Sequence, residues 1–439
     1  MAGVPDDLQR RIVRLAIPAL GTLAVEPLYV LVDTAIIGRL GTPQLAGMAI
    51  ASTLLLTVVS LTVALEYGLT PSVAFAHGRG DQSEARRVAT NGLQLAALLG
   101  VPLCLVVVLA ARPLAWVLGG RGDVLVFATT YLRISAVGLP FVLVAYVGHG
   151  VMRGVNQLRS PLLVVVIANI ANVGLEIVAV YVLHLGVAGS AWSTVVVQAG
   201  AAAAFLGVLR PHLTRLRPAW TRMRPVLVSG VHFAGRSLAM FAVWNSATFV
   251  AARIDTPTLA AHQVLTQLFM FLALALDALA IPAQSLVAGA LGGCRPDEAE
   301  RIGNISTRLS LWCALMLGSL LVVVSPFAPH LFSGDGAVRS RLLAGLLILA
   351  VMQFPGAVAF ALDGALIGAR DERWLGGRAV RNLLGFAPLA VATLLWPNLG
   401  LAGLWGAQLA WMTLRAVVNR RRWHQLAAAG FSVTITSPQ

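Results

Sequence analysis

Carboxylates inside long apolar stretches are the residues of this 439-residue sequence with the clearest chemistry. An aspartate at the centre of a lipid-embedded helix costs about 2.5–3.5 kcal/mol to insert, so such acids face protein or water and commonly serve ion or proton pathways. The alternative role is structural, with the acid paired to arginine, serine or a backbone group. Of the 18 acidic residues, six lie in apolar stretches: Glu26, Asp33, Glu66, Glu176, Asp277 and Asp363.

The spacing of these acids and of nearby amides predicts shared helix faces. Asn169, Asn172 and Glu176 stand at positions i, i+3 and i+7, so a helix presents them on one side. Glu26 and Asp33 are seven residues apart and share a face of an earlier helix in the same way. Two separate helices therefore each carry a polar stripe.

The oxygen atoms of the two polar stripes are predicted to lie at a similar depth in the membrane. At 1.5 Å per residue, Asp33 lies ~28 Å and Glu176 ~24 Å from the arginine-flanked ends of their helices. Thr194, near the opposite end of the following segment, reaches the same layer. Carboxylate, amide and hydroxyl oxygens suit a hard monovalent cation such as Na⁺. The same carboxylates could hold a proton instead.

The elements that must position these residues are membrane-spanning helices. The chain is 58% hydrophobic and 11% charged, whereas soluble domains carry about 25% charged residues. This composition excludes an ordinary soluble protein, and it also excludes disorder. Long continuous apolar runs of about 20 residues indicate helices rather than barrel strands. Twelve such runs are centred near residues 25, 60, 102, 138, 172, 197, 239, 274, 313, 353, 386 and 409.

The arginines predict the orientation of these twelve helices. All 32 basic residues are arginine, and the net charge is +14. Twenty-four of the 32 lie at the amino end, in the loops after even-numbered helices or in the carboxyl tail, so positive-inside bias places both termini in the cytoplasm. This spread favours membrane topology over nucleic-acid binding. The use of arginine without any lysine indicates a GC-rich bacterial genome. We therefore expect the protein in the cytoplasmic (inner) membrane of a bacterium.

The chain also repeats itself at a shift of 214 residues. Residues 39–46 overlie 253–260, and Gly150 and Gly154 fall on glycines in the second half. Because the shift covers six helices, the two copies enter the membrane in the same direction, related by a pseudo-two-fold axis along the membrane normal. We therefore expect an all-α membrane protein of two six-helix lobes that expose a cleft by alternating access. The predicted parts are lobes 1–209 and 225–419, connector 210–224 and tail 420–439.

The second lobe has its acids at other depths. At the 214-residue shift Asp277 falls on Val63 and Asp363 on His149, so neither repeats an acid of the first half. The lobes have thus diverged, and the first is the expected coupling lobe. We expect Asp363 to line the cleft and Asp277 to be structural.

Prolines inside the first helix suggest a bend. Pro18 and Pro27 precede Asp33 on one helix, and prolines within membrane helices mark kinks. We hypothesise that bending of this helix is coupled to protonation of the acid.

The sequence resembles the multidrug and toxic compound extrusion (MATE) family, with the DinF-like branch most similar. The resemblance is carried by residues 27–28, 32–34 and 38–41 in the first helix and 259–263 at the start of the eighth. It covers essentially the whole chain and implies a cation site in the amino-terminal lobe. The family positions fall on Asp33, Asn172, Glu176 and Thr194, with Tyr131 and Pro18 also at matching positions.

Two features depart from the family pattern. Glu176 stands where the family more often has aspartate or asparagine. The NorM-like branch uses an acidic pair in the carboxyl-terminal lobe, for which only Asp363 is available here. The resemblance therefore points to coupling in the amino-terminal lobe.

The resemblance implies antiport of a small organic compound, cationic or amphipathic, against H⁺ or Na⁺. The expected contacts are membrane lipid and small-molecule substrates, with no nucleic acid and no cofactor beyond the coupling ion, and the expected state is a monomer. Without lysine a Walker lysine is impossible, which excludes ATP-driven transport by this chain alone. No catalytic motif supports an intramembrane enzyme. A lipid-linked precursor flippase of the same superfamily remains the alternative.

Overall fold

A computed structural model of the chain describes residues 7–431, which form helices and short connections without a β-strand in that range. The first half contains α1 Asp7–Gly38, α2 Thr42–Thr62, α3 Ala64–Gly78, α4 Gln82–Val117, α5 Gly122–Ala136, α6 Leu139–Gly154, α7 Arg159–Ile177 and α8 Gly186–Leu209. The second half contains α9 Trp220–Ile254, α10 Thr256–Gly292, α11 Pro296–Val324, α12 Ala328–Phe332, α13 Gly336–Gly368, α14 Glu372–Leu395 and α15 Gly400–Ala428.

These helices confirm the predicted all-α membrane fold. Ten helices within the described range are long and apolar enough to cross a membrane, with α2 and α3 counted as one. The bent pair α5 and α6 makes an eleventh. Helix α15 occupies the place of the twelfth predicted span, and its second half is made polar by Arg415 and by the arginines at 420–422. The short α12 is a connection.

The bend between α5 and α6 has a local cause. The two helices meet at 49° across Val137 and Gly138. Pro140 occupies the first turn of α6, and a proline lacks the N–H that an uninterrupted helix would need there. The chain therefore ends one helix and begins another within a single span.

Close helix packing in the first half depends on two glycines of α6. A Cβ atom at Gly150 would lie 3.1 Å from the carbonyl oxygen of Glu66, and one at Gly154 would lie 3.1 Å from that of Thr70. Both carbonyls belong to α3. The backbone of α6 therefore approaches α3 at a distance that larger residues would disturb.

The second half repeats this contact with the predicted shift. A Cβ atom at Gly364 of α13 would overlap the carbonyl oxygen of Ala280, and one at Gly368 would overlap that of Gln284. All four of these residues lie 214 positions after their first-half counterparts. The internal repeat is therefore present in the packing of the helices as well as in the amino-acid sequence.

The chain divides into two compact units. The first unit comprises Gly21–Ala234, and the second unit comprises the chain from Gly235 onward together with residues up to Leu20. Helix α9 begins inside the predicted connector, and α15 continues to Ala428 beyond the predicted lobe end. The predicted lobe boundaries stay a prediction.

Each unit contains its own hydrophobic core. Around the polar stripes of the first unit, Ile37, Leu132 and Ala191 are fully buried. In the second unit the core contains Trp405 and Leu404, both fully buried. Rigid apolar packing thus surrounds the helices that carry the polar residues.

Candidate functional site

The predicted cluster in the first unit is assembled from three helices. Asp33 comes from α1, Asn172 and Glu176 come from α7, and Thr194 comes from α8. Asp33 and Asn172 are each 4% exposed, and Glu176 is fully buried. A π-helical turn, Val178–Val182, follows the end of α7 at Ile177, one residue after Glu176. The structure therefore brings together the four residues that the sequence proposed as a cation site.

The two carboxyl groups of this cluster are neighbours. The Ser190 hydroxyl donates to Asp33 Oδ1 at 2.9 Å. The Glu176 carboxyl group lies beside Asp33 and Ser190, and neither of its oxygens has a hydrogen-bond donor among the described residues. Two carboxyl groups can bond to each other only when one carries a proton. Their buried oxygens can otherwise be satisfied by a cation.

The amide and hydroxyl groups form a second part of the cluster. Asn172 Nδ2 donates to the Tyr29 hydroxyl and to Thr194 Oγ1, each at 3.4 Å. The Tyr29 hydroxyl oxygen and Thr194 Oγ1 are 3.1 Å apart and share a hydrogen bond. The Ser193 hydroxyl lies 3.5 Å from Asn172 Oδ1. This network fixes the amide so that its oxygen and the acids belong to one polar site.

Three members of the network were missed by the sequence analysis. They are Tyr29, Ser190 and Ser193. Tyr29 lies one helical turn before Asp33, and Ser190 lies one turn before Thr194, so the i, i+4 rule would have placed both on the correct faces.

The predicted supporting residues have different surroundings. Tyr131 is 4% exposed and lies near Asp33 and Ser190. Asn169 donates to the Val165 carbonyl of its own helix at 2.8 Å and contributes no bond to the cluster. Pro18 belongs to the other compact unit, and the side chain of Glu26 lies outside the described residues.

The second unit lacks most polar groups of the cluster, and among the four predicted site positions only that of Thr194 keeps a polar residue, the buried Gln408. At the 214-residue shift the positions of Asp33, Asn172 and Glu176 are taken by alanine, phenylalanine and alanine. The positions of Tyr29 and Ser190 are taken by valine and leucine. All five replacements are buried in the hydrophobic core. The second unit therefore has no carboxylate at the positions of Asp33 and Glu176.

The acids of the second unit are engaged by arginine. Asp363 Oδ2 accepts bonds from Arg236 and from Arg415, the latter at 2.6 Å, and Oδ1 accepts from Asn419 at 2.7 Å. Asp277 is half-buried and interacts electrostatically with Arg415. These contacts make Asp363 part of an arginine cluster within its own unit.

The first unit also contains a buried ion pair. Glu66 and Arg153 join α3 to α6 at 2.5 Å. This acid therefore has the structural role that the sequence analysis kept open for every intramembrane carboxylate.

The donor set of the cluster suits a monovalent ion better than a transition metal. No group of three or more histidine, cysteine, aspartate or glutamate residues is found in the part of the chain that the structure describes. Asp33, Glu176, Asn172 and Thr194 offer oxygen atoms only, which is the preference of hard cations. The two orphaned Glu176 oxygens are the atoms that a cation or proton would satisfy.

Comparison with known proteins gives one family for the chain. A family model described as MatE matches residues 18–178 and 235–375, which is more than half of the sequence. Protein DETOXIFICATION 44, chloroplastic, of Arabidopsis thaliana is 29% identical over 427 residues, covering 94% of this chain and 81% of the relative. DNA damage-inducible protein F of Escherichia coli K12 is 27% identical over 422 residues, covering 93% and 91%.

A second bacterial relative has the same percentage identity. A probable multidrug resistance protein NorM of Bradyrhizobium diazoefficiens is 27% identical over 412 residues, covering 89% of this chain and 88% of the relative. Among solved structures, a crystal structure of MATE in the bent conformation superimposes with a TM-score of 0.91 at 20% identity, covering 98% of both chains. The structural match concerns the fold alone.

Proposed function

The chain belongs to the MatE family of multidrug and toxic compound extrusion transporters, and from this premise we propose that it is a secondary antiporter. It is a multi-pass membrane transporter of small molecules and not an enzyme. In the proposal it exports small cationic or amphipathic organic compounds in exchange for H⁺ or Na⁺. The coupling ion binds in the first unit, at Asp33, Glu176, Asn172 and Thr194.

One observation carries this proposal. Asp33 and Glu176 are neighbouring buried carboxyl groups, and Glu176 has no hydrogen-bond donor among the described residues. A buried acid without a donor is costly unless it is neutralised. One proton or one Na⁺ removes one of the two negative charges that the ionised pair would carry, and release of that ion recreates the unfavourable state. Such a site can exchange a cation with the solvent as a transporter requires.

Coupling follows from unequal affinity of the ion for two conformations. An ion shifts a conformational equilibrium only as far as its affinity differs between the two states. Helix α1 carries Asp33 and Tyr29, so a change in its path would separate them from α7 and α8 and weaken the site. In the proposed cycle, ion binding from outside favours the state that releases the exported compound.

The proposed setting is the cytoplasmic membrane of a bacterium with both termini in the cytoplasm. It rests on the arginine distribution, because 24 of the 32 arginines lie in segments that an even number of spans assigns to one side. The proposed working form is a monomer of two six-helix lobes with no cofactor.

A transport assay tests the proposal directly. A susceptible strain lacking its own exporters should accumulate less cationic dye when this chain is produced, and Asp33→Asn should abolish the effect. Thr34→Val is the matched control, because the exposed Thr34 hydroxyl bonds only the Val30 carbonyl of its own helix. Normal export by Asp33→Asn would refute the site. Proteoliposomes driven by a pH gradient or by a Na⁺ gradient then identify the ion.

A further inference from the structure

The segment that connects α8 to α9 is held against α4 in the first unit. Residues 213–219, which we call the connector strap, form no helix. The Thr90 hydroxyl of α4 accepts a hydrogen bond from Thr214 N at 3.0 Å. Gln94 Nε2 of the same helix donates to the Leu216 carbonyl at 3.0 Å. The strap therefore follows a fixed path across the surface of α4.

The strap presents two arginines to its surroundings. The backbone at Leu213 is extended, and its side chain packs against the hydrophobic core of the first unit. Leu216 is half-buried, whereas Arg215 and Arg217 on either side of it are exposed. Successive side chains of an extended chain point in opposite directions. With Leu216 turned inward, both guanidinium groups therefore point outward.

Further basic groups lie at the same end of the first unit. His212, directly before the strap, interacts electrostatically with Arg86 of α4 and with His77 of α3. The Arg86 side chain is exposed, as are the two strap arginines. Basic side chains from α3, from α4 and from the connector thus meet on one surface.

The acidic residues of the turn between α3 and α4 are already engaged. Asp81 accepts the Glu84 N–H at 2.9 Å as the cap of α4, and the Glu84 carboxylate pairs with Arg87 at 3.6 Å. Arg86 and the two strap arginines make no ion pair in the part of the chain that the structure describes. The surface therefore keeps an excess of positive charge.

The depth of the strap is set by α4. Residues 82–91 of this helix are rich in charged and polar side chains, whereas the leucines at 98–99 are exposed as lipid-facing residues are. Thr90 and Gln94, which anchor the strap, lie between or beside these two parts. Trp220 follows the strap at the first position of α9 and is 54% exposed, and tryptophan is enriched where headgroups meet hydrocarbon. The strap therefore lies at the level of the lipid headgroups.

The strap arginines have no counterpart in the second copy of the repeat. At the 214-residue shift Arg215 and Arg217 fall on Ala429 and Phe431. Phe431 is buried and packs against Trp423, with the ring centroids 5.2 Å apart. The two units therefore differ at this place, with aromatic packing in the second and exposed arginines in the first.

We propose that the connector strap, together with Arg86, binds the phosphate groups of anionic phospholipids. Guanidinium groups match phosphate oxygens in bidentate pairs. Basic segments at the ends of membrane helices are attracted to anionic leaflets, with about a fivefold gain in affinity for each arginine near the surface. On the proposed orientation this surface faces the cytoplasmic leaflet, whose surface potential is negative. The inference goes beyond antiport and does not depend on it.

Lipid binding is measured on the full chain in a neutral detergent. The probe is dioctanoyl-phosphatidylglycerol, titrated calorimetrically, with dioctanoyl-phosphatidylcholine as the neutral comparison. Wild type should bind the anionic lipid, and Arg215→Gln and Arg217→Gln should each weaken this binding about fivefold. Arg112→Gln is the matched control, since Arg112 is exposed near the other end of α4. An equal loss in the control, or equal binding of both lipids to wild type, overturns the proposal.

A variant of the anchor tests the path of the strap while every arginine is kept. Thr90→Val removes the acceptor for Thr214 N and should also weaken binding of the anionic lipid, because the strap arginines are then no longer held beside Arg86. Unchanged affinity in Thr90→Val would show that charge alone attracts the lipid, which overturns the role of the anchored strap.

Two further ligands assign the source of the phosphate. Leu216 and Trp220 favour a lipid, because they keep the arginines at the membrane boundary rather than above it. Glycerol phosphate that binds as tightly as the lipid would assign the site to a soluble phosphate, and displacement of the lipid by a short DNA duplex would assign it to nucleic acid. Either result overturns the lipid proposal. Asp33→Asn should abolish gradient-driven flux and leave lipid binding intact, so failure of the antiport proposal is distinguishable from failure of the strap.

Discussion

Arg153 and Glu66 form an ion pair of 2.5 Å in which the two side chains are only 8% and 4% exposed. The pair joins α6 to α3 beside the glycine contacts of the same helices, because Glu66 also supplies the carbonyl that faces Gly150 and Arg153 directly precedes Gly154. Removing one partner of a buried pair leaves a charge without compensation, whereas replacing both by apolar residues is often neutral. The single and the double variants should therefore differ in their free energy of unfolding.

We expect Arg153→Met to lower the free energy of unfolding by about 3–5 kcal/mol, because Glu66 would remain buried and charged. The double variant Glu66→Leu with Arg153→Met should recover most of this loss. Thermal unfolding of the purified chain in detergent measures both. Equal destabilisation by the single and double variants would show that packing, rather than the uncompensated charge, dominates.

Glu176→Gln should separate proton coupling from sodium coupling. A glutamine cannot carry the exchanged proton, and its amide supplies Asp33 with a permanent donor, so flux driven by a pH gradient should fall to background. Its amide oxygen can still ligate Na⁺, so sodium-driven flux should be reduced and not lost. Proteoliposome uptake under each gradient gives the two values.

The control for this variant is Asn169→Ala. Asn169 lies on the same helix and bonds only the Val165 carbonyl, so its loss should leave both fluxes unchanged. Full proton-driven flux in Glu176→Gln, with Asn169→Ala also normal, would remove Glu176 from the coupling site.

The cation cluster could be foreseen because its geometry depends on rigid helices. A fixed rise per residue sets the depth of Asp33 and Glu176, and helical spacing sets their faces. The twelve apolar runs predicted the number of helices, and the repeat predicted two copies of one unit, since Gly150 and Gly154 fall on glycines at the 214-residue shift. Rise and spacing are properties of a single helix, and the repeat is visible when the two halves of the sequence are compared.

The arginine cluster around Asp363 could not be foreseen in this way. Arg236 and Arg415 lie 127 and 52 residues from Asp363 along the chain, and no periodicity relates residues on different helices. In the sequence Arg415 is only one of the 32 arginines whose distribution predicts the topology. Which guanidinium groups meet depends on how the helices pack, a tertiary property that the one-dimensional pattern does not contain.

Gly364→Ala should destabilise the second unit. A Cβ atom there would overlap the backbone carbonyl of Ala280, which cannot move without shifting α10, and overpacking costs about 1–3 kcal/mol. The matched control is Gly356→Ala on the same helix, whose Cβ would meet Leu276 at an ordinary 3.5 Å. Thermal unfolding should show a loss for the first variant only. Equal midpoints would contradict the close approach of α13 to α10.

Asp255 should make stability depend on acid pH. It lies between α9 and α10, caps α10 through Thr258 N at 2.7 Å and pairs with Arg341 at 2.7 Å. Partial burial raises the pKa of Asp255, but the Thr258 bonds and Arg341 outweigh it and hold the pKa below its usual value. A group with a lowered folded pKa stabilises the fold above its unfolded pKa, about 3.9 for aspartate, and loses this as pH falls through the folded value.

The unfolding temperature should therefore fall on acidification below about pH 4, and part of that fall should be absent in Asp255→Asn. The effect is small because both partners are about one-third exposed and solvent screens the pair. Asp335→Asn is the comparison, since Asp335 caps α13 through Ala337 N without an ion pair in the described structure. A larger acid sensitivity contributed by Asp335 than by Asp255 would mean that capping, and not the Arg341 pair, sets the pH dependence.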